Sequence, residues 1–175
     1  MSLLKSWGSN VLAAFAVIIS VSACATLTER VETAEALVEV YQAQPDFDGK
    51  FLVLTGSYAE ALEVVTDACI DGSLTETTCD LADPFIELTA PRVSTMVATW
   101  STTKSLRDSL VIVMDGCSKF VEEIKDRNIQ IAAFAQCFSE AKAQYETSRA
   151  QLETDWVELA PRMQSFITFR EDAFK

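Results

Sequence analysis

The sequence predicts an all-α protein: an antiparallel helical bundle of four or five helices, with its hairpins stapled by two disulfides. Three observations carry this. Apolar residues recur at spacings of three and four along nearly all of the chain after Thr26, the period of a helix with one buried face. Five Gly and four Pro in 175 residues leave few points where a helix must stop. Cys69, Cys79, Cys117 and Cys137 fall into two pairs, each placed symmetrically about a polar junction.

The chain opens with "MSLLKSWGSN", which carries one charge, Lys5. An apolar run from Val11 to Val21 follows, interrupted only by Ser20, and then small residues before Cys24. Basic, apolar and small in that order form a secretory signal peptide. The run is too short to span a bilayer, which takes about 20 apolar residues. Val21-Ser22-Ala23-Cys24 resembles the lipobox of bacterial lipoproteins: an aliphatic residue, two small residues and a cysteine. The resemblance covers the first 24 residues and names a targeting class, with no functional family attached. It implies that residues 1–23 are removed and that Cys24 becomes the lipidated first residue, carrying palmitate-type acyl chains. Two or more such chains hold a protein stably at a membrane where one does not. In that class an Asp after the cysteine favours the inner membrane. Ala25 stands there instead, so the resemblance implies an outer-membrane anchor facing the periplasm of the cell envelope.

Removing 23 of the 175 residues leaves 152, the size of a single domain with a real core. Residues 24–175 are therefore expected to form one helical-bundle domain. The net charge moves from −12 to −13, because Lys5 is the only charge removed. So acidic a chain repels nucleic acid, and no nucleic-acid partner is expected. With Cys24 taken by lipid, four cysteines remain, and an even number outside the cytoplasm implies disulfides. A zinc site is a poor alternative, since the chain has no CxxC spacing and no histidine.

The elements follow in order. Thr26 and Glu29 have the spacing of a capping box, and Val31, Ala34, Leu37, Val38 and Tyr41 make one face of a first helix ending near Gln44-Pro45. A second helix starts near Asp46 with a seam of Phe47, Phe51, Leu54, Tyr58, Leu62, Val65 and Cys69, and Gly72 caps its end. "SLTETT" reads as a loop. Asp83-Pro84 starts a third helix, and Pro91 kinks or restarts it. Val93, Val97 and Trp100, then Leu106, Leu110, Val113, Cys117, Phe120 and Ile124, form its seam, with a potential break at "STTKS", residues 101–105. The last helix carries Ile131, Phe134, Phe138, Ala141, Tyr145, Leu152, Trp156, Leu159, Met163 and Phe166, with Pro161 as a kink point.

The junction "EEIKDRNIQI" contains no Gly or Pro. Here the cysteines decide. In one straight helix Cys117 and Cys137 would lie about 30 Å apart and could not bond. In a hairpin turning near Arg127 they face each other. Cys69 and Cys79 flank Leu74 in the same way. The expected bonds are Cys69–Cys79 and Cys117–Cys137.

Catalytic chemistry is not expected. Without histidine there is no Ser-His-Asp or Cys-His arrangement and no Glu-x-x-His di-iron motif. Gly49 and Gly56 make no phosphate loop. The carboxylates Glu29, Glu32, Glu35 and Glu39, the cluster Glu122, Glu123 and Asp126, and the trio Asp71, Asp80 and Asp83 read as solvated helix faces and caps. No metal and no cofactor is expected. Trp100 and Trp156 lie on core seams, though a bundle can also open a ligand cavity between its helices. Met163, Phe166, Phe169 and Phe174 form an apolar C-terminal stretch that suits core, a partner surface or a membrane-facing patch. The expected role is a non-catalytic binding or scaffolding module. It would be held to the membrane through Cys24 and would recognise an envelope protein through its helix faces. Alternatives are a small-ligand-binding or sensor bundle and a periplasmic helical chaperone.

Overall fold

The computed structural model describes residues 26–43 and 45–175. The signal-like segment 1–23, the Val21-Ser22-Ala23-Cys24 motif and the proposed lipidation site at Cys24 lie outside the described residues. Among those described, every regular element is helical: α1 (Leu27–Gln42), α2 (Pro45–Ile70), α3 (Glu76–Asp83), a π-helical segment (Pro84–Thr89), α4 (Ala90–Glu122) and α5 (Arg127–Ala173). Three of these are long: 26 residues in α2, 33 in α4 and 47 in α5.

Local chemistry sets the ends. Thr26 caps α1 in a reciprocal box: its hydroxyl accepts from Glu29 N at 3.2 Å, and the Glu29 carboxylate accepts from Thr26 N at 2.5 Å. The Thr26 backbone bond, and then its side-chain bond, hold the Glu29 carboxyl below its usual range. Gly72 ends α2 at φ +77°, a left-handed conformation that a Cβ disfavours, and Leu74 N–H donates back to the Ala68 carbonyl at 3.1 Å. Asp126 caps α5, its Oδ1 accepting from Asn128 N at 2.9 Å and Ile129 N at 3.2 Å. The turn without Gly or Pro is thus made by an acidic N-cap and a short gap between Glu122 and Arg127.

Two sequence expectations are corrected. Part of "SLTETT" is helix: Thr75 caps α3, and Glu76, Thr77 and Thr78 form its first turn, since Thr75 Oγ1 accepts from Thr78 N at 3.3 Å. "STTKS" does not break the chain either, because α4 runs unbroken through 101–105. Its hydroxyls turn back onto the helix, Thr102 to the Ala98 carbonyl and Thr103 to the Thr99 carbonyl, so their polarity is absorbed locally. Pro91 stands at the second position of α4, where the helical path continues without a gap from the π-helical segment, and it contributes no N–H to the helical hydrogen bonds there.

The chain divides into two compact units. One joins α1 with Leu106–Gln144, and the other joins Gln44–Ser105 with Tyr145–Lys175. In the first, Ala34, Leu37, Val38 and Tyr41 of α1, Leu110, Met114, Cys117 and Val121 of α4, and Phe134 and Phe138 of α5 are buried. The bond Cys117–Cys137, with Cα atoms 5.8 Å apart, staples the α4–α5 turn, and Gln130 Nε2 donates to the Val121 carbonyl at 3.0 Å across it.

In the second unit a core gathers around Phe51, Tyr58, Val65, Met96, Leu159, Met163 and Phe166. The bond Cys69–Cys79 staples α2 to α3. There α4 and α5 run antiparallel: Arg92 pairs with Glu158, while Thr103, farther along α4, meets Ser148, earlier on α5, at 2.7 Å. The predicted seams of α2 and α5 face inward. In α4 the inward row is Val93, Met96, Thr103, Leu110, Met114, Cys117 and Val121. Val97 and Phe120, assigned inward from the sequence, are exposed at 37% and 67%. Several adjacent positions of that helix are apolar, so spacing alone did not select the buried row.

Candidate functional site

In the second unit the aromatic residues of the core pack against one another. Phe51, fully buried, stacks on Trp100 with ring centroids 5.1 Å apart and lies 5.6 Å from Trp156. Phe47 meets Trp156 edge-on at 5.4 Å. Trp100 Nε1 donates to Asp48 Oδ1 at 2.9 Å, so the indole reaches a polar partner while its ring packs. Phe166 contacts Tyr58, Phe85 and Phe169. Met163 and Phe166 are therefore core, whereas Phe174 is 48% exposed.

Tyr58 ties this core to the π-helical segment. Its hydroxyl donates to the Phe85 carbonyl at 3.0 Å, which also accepts from Ala90 N–H. Burial pushes the Tyr58 phenol up to about 12. The role is structural: the bond occupies a carbonyl inside an irregular helical turn.

The carboxylate clusters are dispersed. Among the described residues no group of three His, Cys, Asp or Glu is placed to hold a metal. Asp71 accepts from Ser73 N at 2.8 Å; the Ser73 hydroxyl first, and this backbone bond second, hold its carboxyl below the usual range. Asp126 caps α5. Glu158 takes a two-pronged hydrogen bond from Arg92, which lowers its pKa. At this exposed site the ion pair is screened by solvent and contributes little.

Two grooves formed by described residues bear on binding. In the second unit a shallow groove of about 490 Å³ lies between α2 and α5, lined by Gly49, Lys50, Val53, Leu54, Trp156 and Ile167 among others. Val53 is 70% exposed and its neighbour Leu52 is 52% exposed. A Cβ added at Gly49 would meet nothing within 4 Å, so the floor there is bare backbone. In the first unit a smaller groove of about 220 Å³ lies between α1 and α5, lined by Arg30, Ala34, Leu37, Phe134, Phe138 and Lys142 among others. Arg30 Nε is shielded from solvent and has no hydrogen-bond partner among the described residues. Sequence reasoning passed over Arg30, though a signal existed: it is the one basic residue of α1.

No helix among the described residues is long and apolar enough to cross a membrane. Comparison with protein-family models, with curated proteins and with solved structures yields no match for this chain.

Proposed function

We propose that this protein is a lipid-anchored lipoprotein of the cell envelope that works as a non-catalytic binding or scaffolding module. Residues 24–175 are read as one domain, an antiparallel bundle of four or five helices. The address rests on the order of charge, apolar run and small residues before Cys24. Cys24 would carry the acyl chains, at the outer membrane and facing the periplasm.

The observation that carries the binding role is the apolar groove between α2 and α5, with Val53 exposed on its wall and no side chain at Gly49. The occupant we assign is an amphipathic helix of another envelope protein. Two helices flank the groove, its lining is mostly apolar with Lys50, Ser57 and Gln164 among it, and bare backbone at Gly49 lets a third helix approach closely. A net charge of −12 favours a partner with basic flanks. Stapled hairpins on a rigid helical frame reduce the ordering cost of such docking.

Two measurements test this. Intact mass of protein from the membrane fraction should begin at Cys24 with added acyl chains, and four cysteines should become alkylated only after reduction. A full-length, unacylated chain overturns the anchor. A photocrosslinker at Val53 should give one discrete protein adduct in the envelope, lost with Gly49→Trp. A Val53 probe that yields no adduct overturns the docking role.

A further inference from the structure

The groove between α1 and α5 in the first unit combines three features. Its floor is apolar and buried: Ala34 and Leu37 from α1, and Phe134 and Phe138 from α5, are each under 9% exposed. The two phenyl rings lie nearly parallel, with centroids 6.3 Å apart and planes at 8°, and both line the groove. Its rim carries two cations, Arg30 and Lys142, in a chain with 26 acidic residues against 14 basic ones.

The third feature is an unmet donor. Both hydroxyls that line the groove are already spent within their own helices. Thr33 Oγ1 donates to the Glu29 carbonyl at 2.6 Å, and Ser139 Oγ donates to the Gln136 carbonyl at 2.9 Å. Arg30 Nε is the buried side-chain atom left without a hydrogen-bond partner among the described residues. A buried charged donor without an acceptor is costly, and native proteins rarely keep one without a use. Among the described residues no acidic side chain accepts from it.

We propose that this groove binds a carboxylate bearing a single medium-length acyl chain, with Arg30 taking the head group and the stacked Phe134 and Phe138 taking the chain. A guanidinium fork matches a carboxylate in geometry and charge. At about 220 Å³ the groove is smaller than the roughly 300–1,000 Å³ of sites for drug-sized ligands. That size suits one medium-length chain and is too small for a two-chain lipid. The site lies in the unit that holds α1. It depends neither on the α2–α5 docking groove nor on membrane anchoring.

The test uses the full chain carrying Cys24→Ser, so that no attached acyl group competes. Decanoate and decanol, identical in tail and different in charge, are titrated by calorimetry well below the micelle concentration of decanoate. Decanoate should bind at one site and at least about tenfold more tightly than decanol. Arg30→Gln should remove that preference, with decanoate affinity falling about tenfold and decanol affinity unchanged within about twofold. The wild-type comparison of the two ligands stands whether or not the variant folds. No decanoate binding, equal affinity for decanoate and decanol, or a folded Arg30→Gln protein that keeps the preference each overturns the assignment.

Discussion

Tyr58→Phe is the most informative single change in the core. It keeps the ring, which lies 5.5 Å from Phe166, and deletes only the hydroxyl that donates to the Phe85 carbonyl at 3.0 Å. Two costs compete. Losing one net hydrogen bond costs about 0.5–1.5 kcal/mol, and stranding a buried acceptor would raise that to about 1–3 kcal/mol. The Phe85 carbonyl also accepts from Ala90 N–H inside the π-helical segment, so it is not stranded. The lower range wins, and the expected loss is about 1 kcal/mol. Tyr58→Ala removes the ring as well and should cost about 3–5 kcal/mol. Urea unfolding followed by far-UV circular dichroism, with disulfides intact, reads both.

The same residue predicts a pH dependence. The Tyr58 phenol stands near 10 in the unfolded chain and at about 12 in the fold. The folded state holds the proton more tightly. The associated stability is therefore fully present below pH 10 and is lost as pH rises from 10 through 12. Tyr58→Phe should flatten stability against pH in that window and remove one tyrosine's worth of late-titrating absorbance at 295 nm. A Tyr58→Phe loss above 3 kcal/mol, or an unchanged alkaline slope, would refute this account of the core.

Other outcomes follow from the same structure. Replacing Cys117 and Cys137 together by Ala should cost about 3 kcal/mol, and replacing Cys69 and Cys79 about 0.6 kcal/mol less, because the first bond spans 20 residues and the second 10. Denaturant midpoints of the two double variants check the order. Gly56→Ala should stabilise by about 0.5–1 kcal/mol, since Gly56 lies within α2 and a Cβ there meets nothing within 4 Å. Gly72→Ala should destabilise by about 1 kcal/mol, because φ is +77° there. A thermal shift of opposite sign in the two glycine variants is the readout. Asp126→Ala should cost about 1 kcal/mol by uncapping α5, and hydrogen exchange at Asn128 and Ile129 should rise with it.

The sequence by itself determined the helical class and both disulfide partners. Period, scarcity of breakers and cysteine symmetry are local or pairwise signals, and they survive without tertiary knowledge. The capping box at Thr26 and the Gly72 terminus were legible for the same reason, since each is written in three or four neighbouring residues. Tertiary packing decided what local chemistry leaves degenerate. On α4 two overlapping apolar rows were available, and burial selected Met96, Met114 and Val121 over Val97 and Phe120. Thr75 capped a helix where composition suggested a loop, and the "STTKS" hydroxyls bonded within α4 instead of breaking it. The grooves were the least legible of all. Arg30 stood out in the sequence only as the lone base of an acidic helix. Its significance depends on Phe134 and Phe138, more than a hundred residues away in the chain, lining the same groove. A site assembled from distant helices has no sequence period of its own, so only the folded chain brings its parts together.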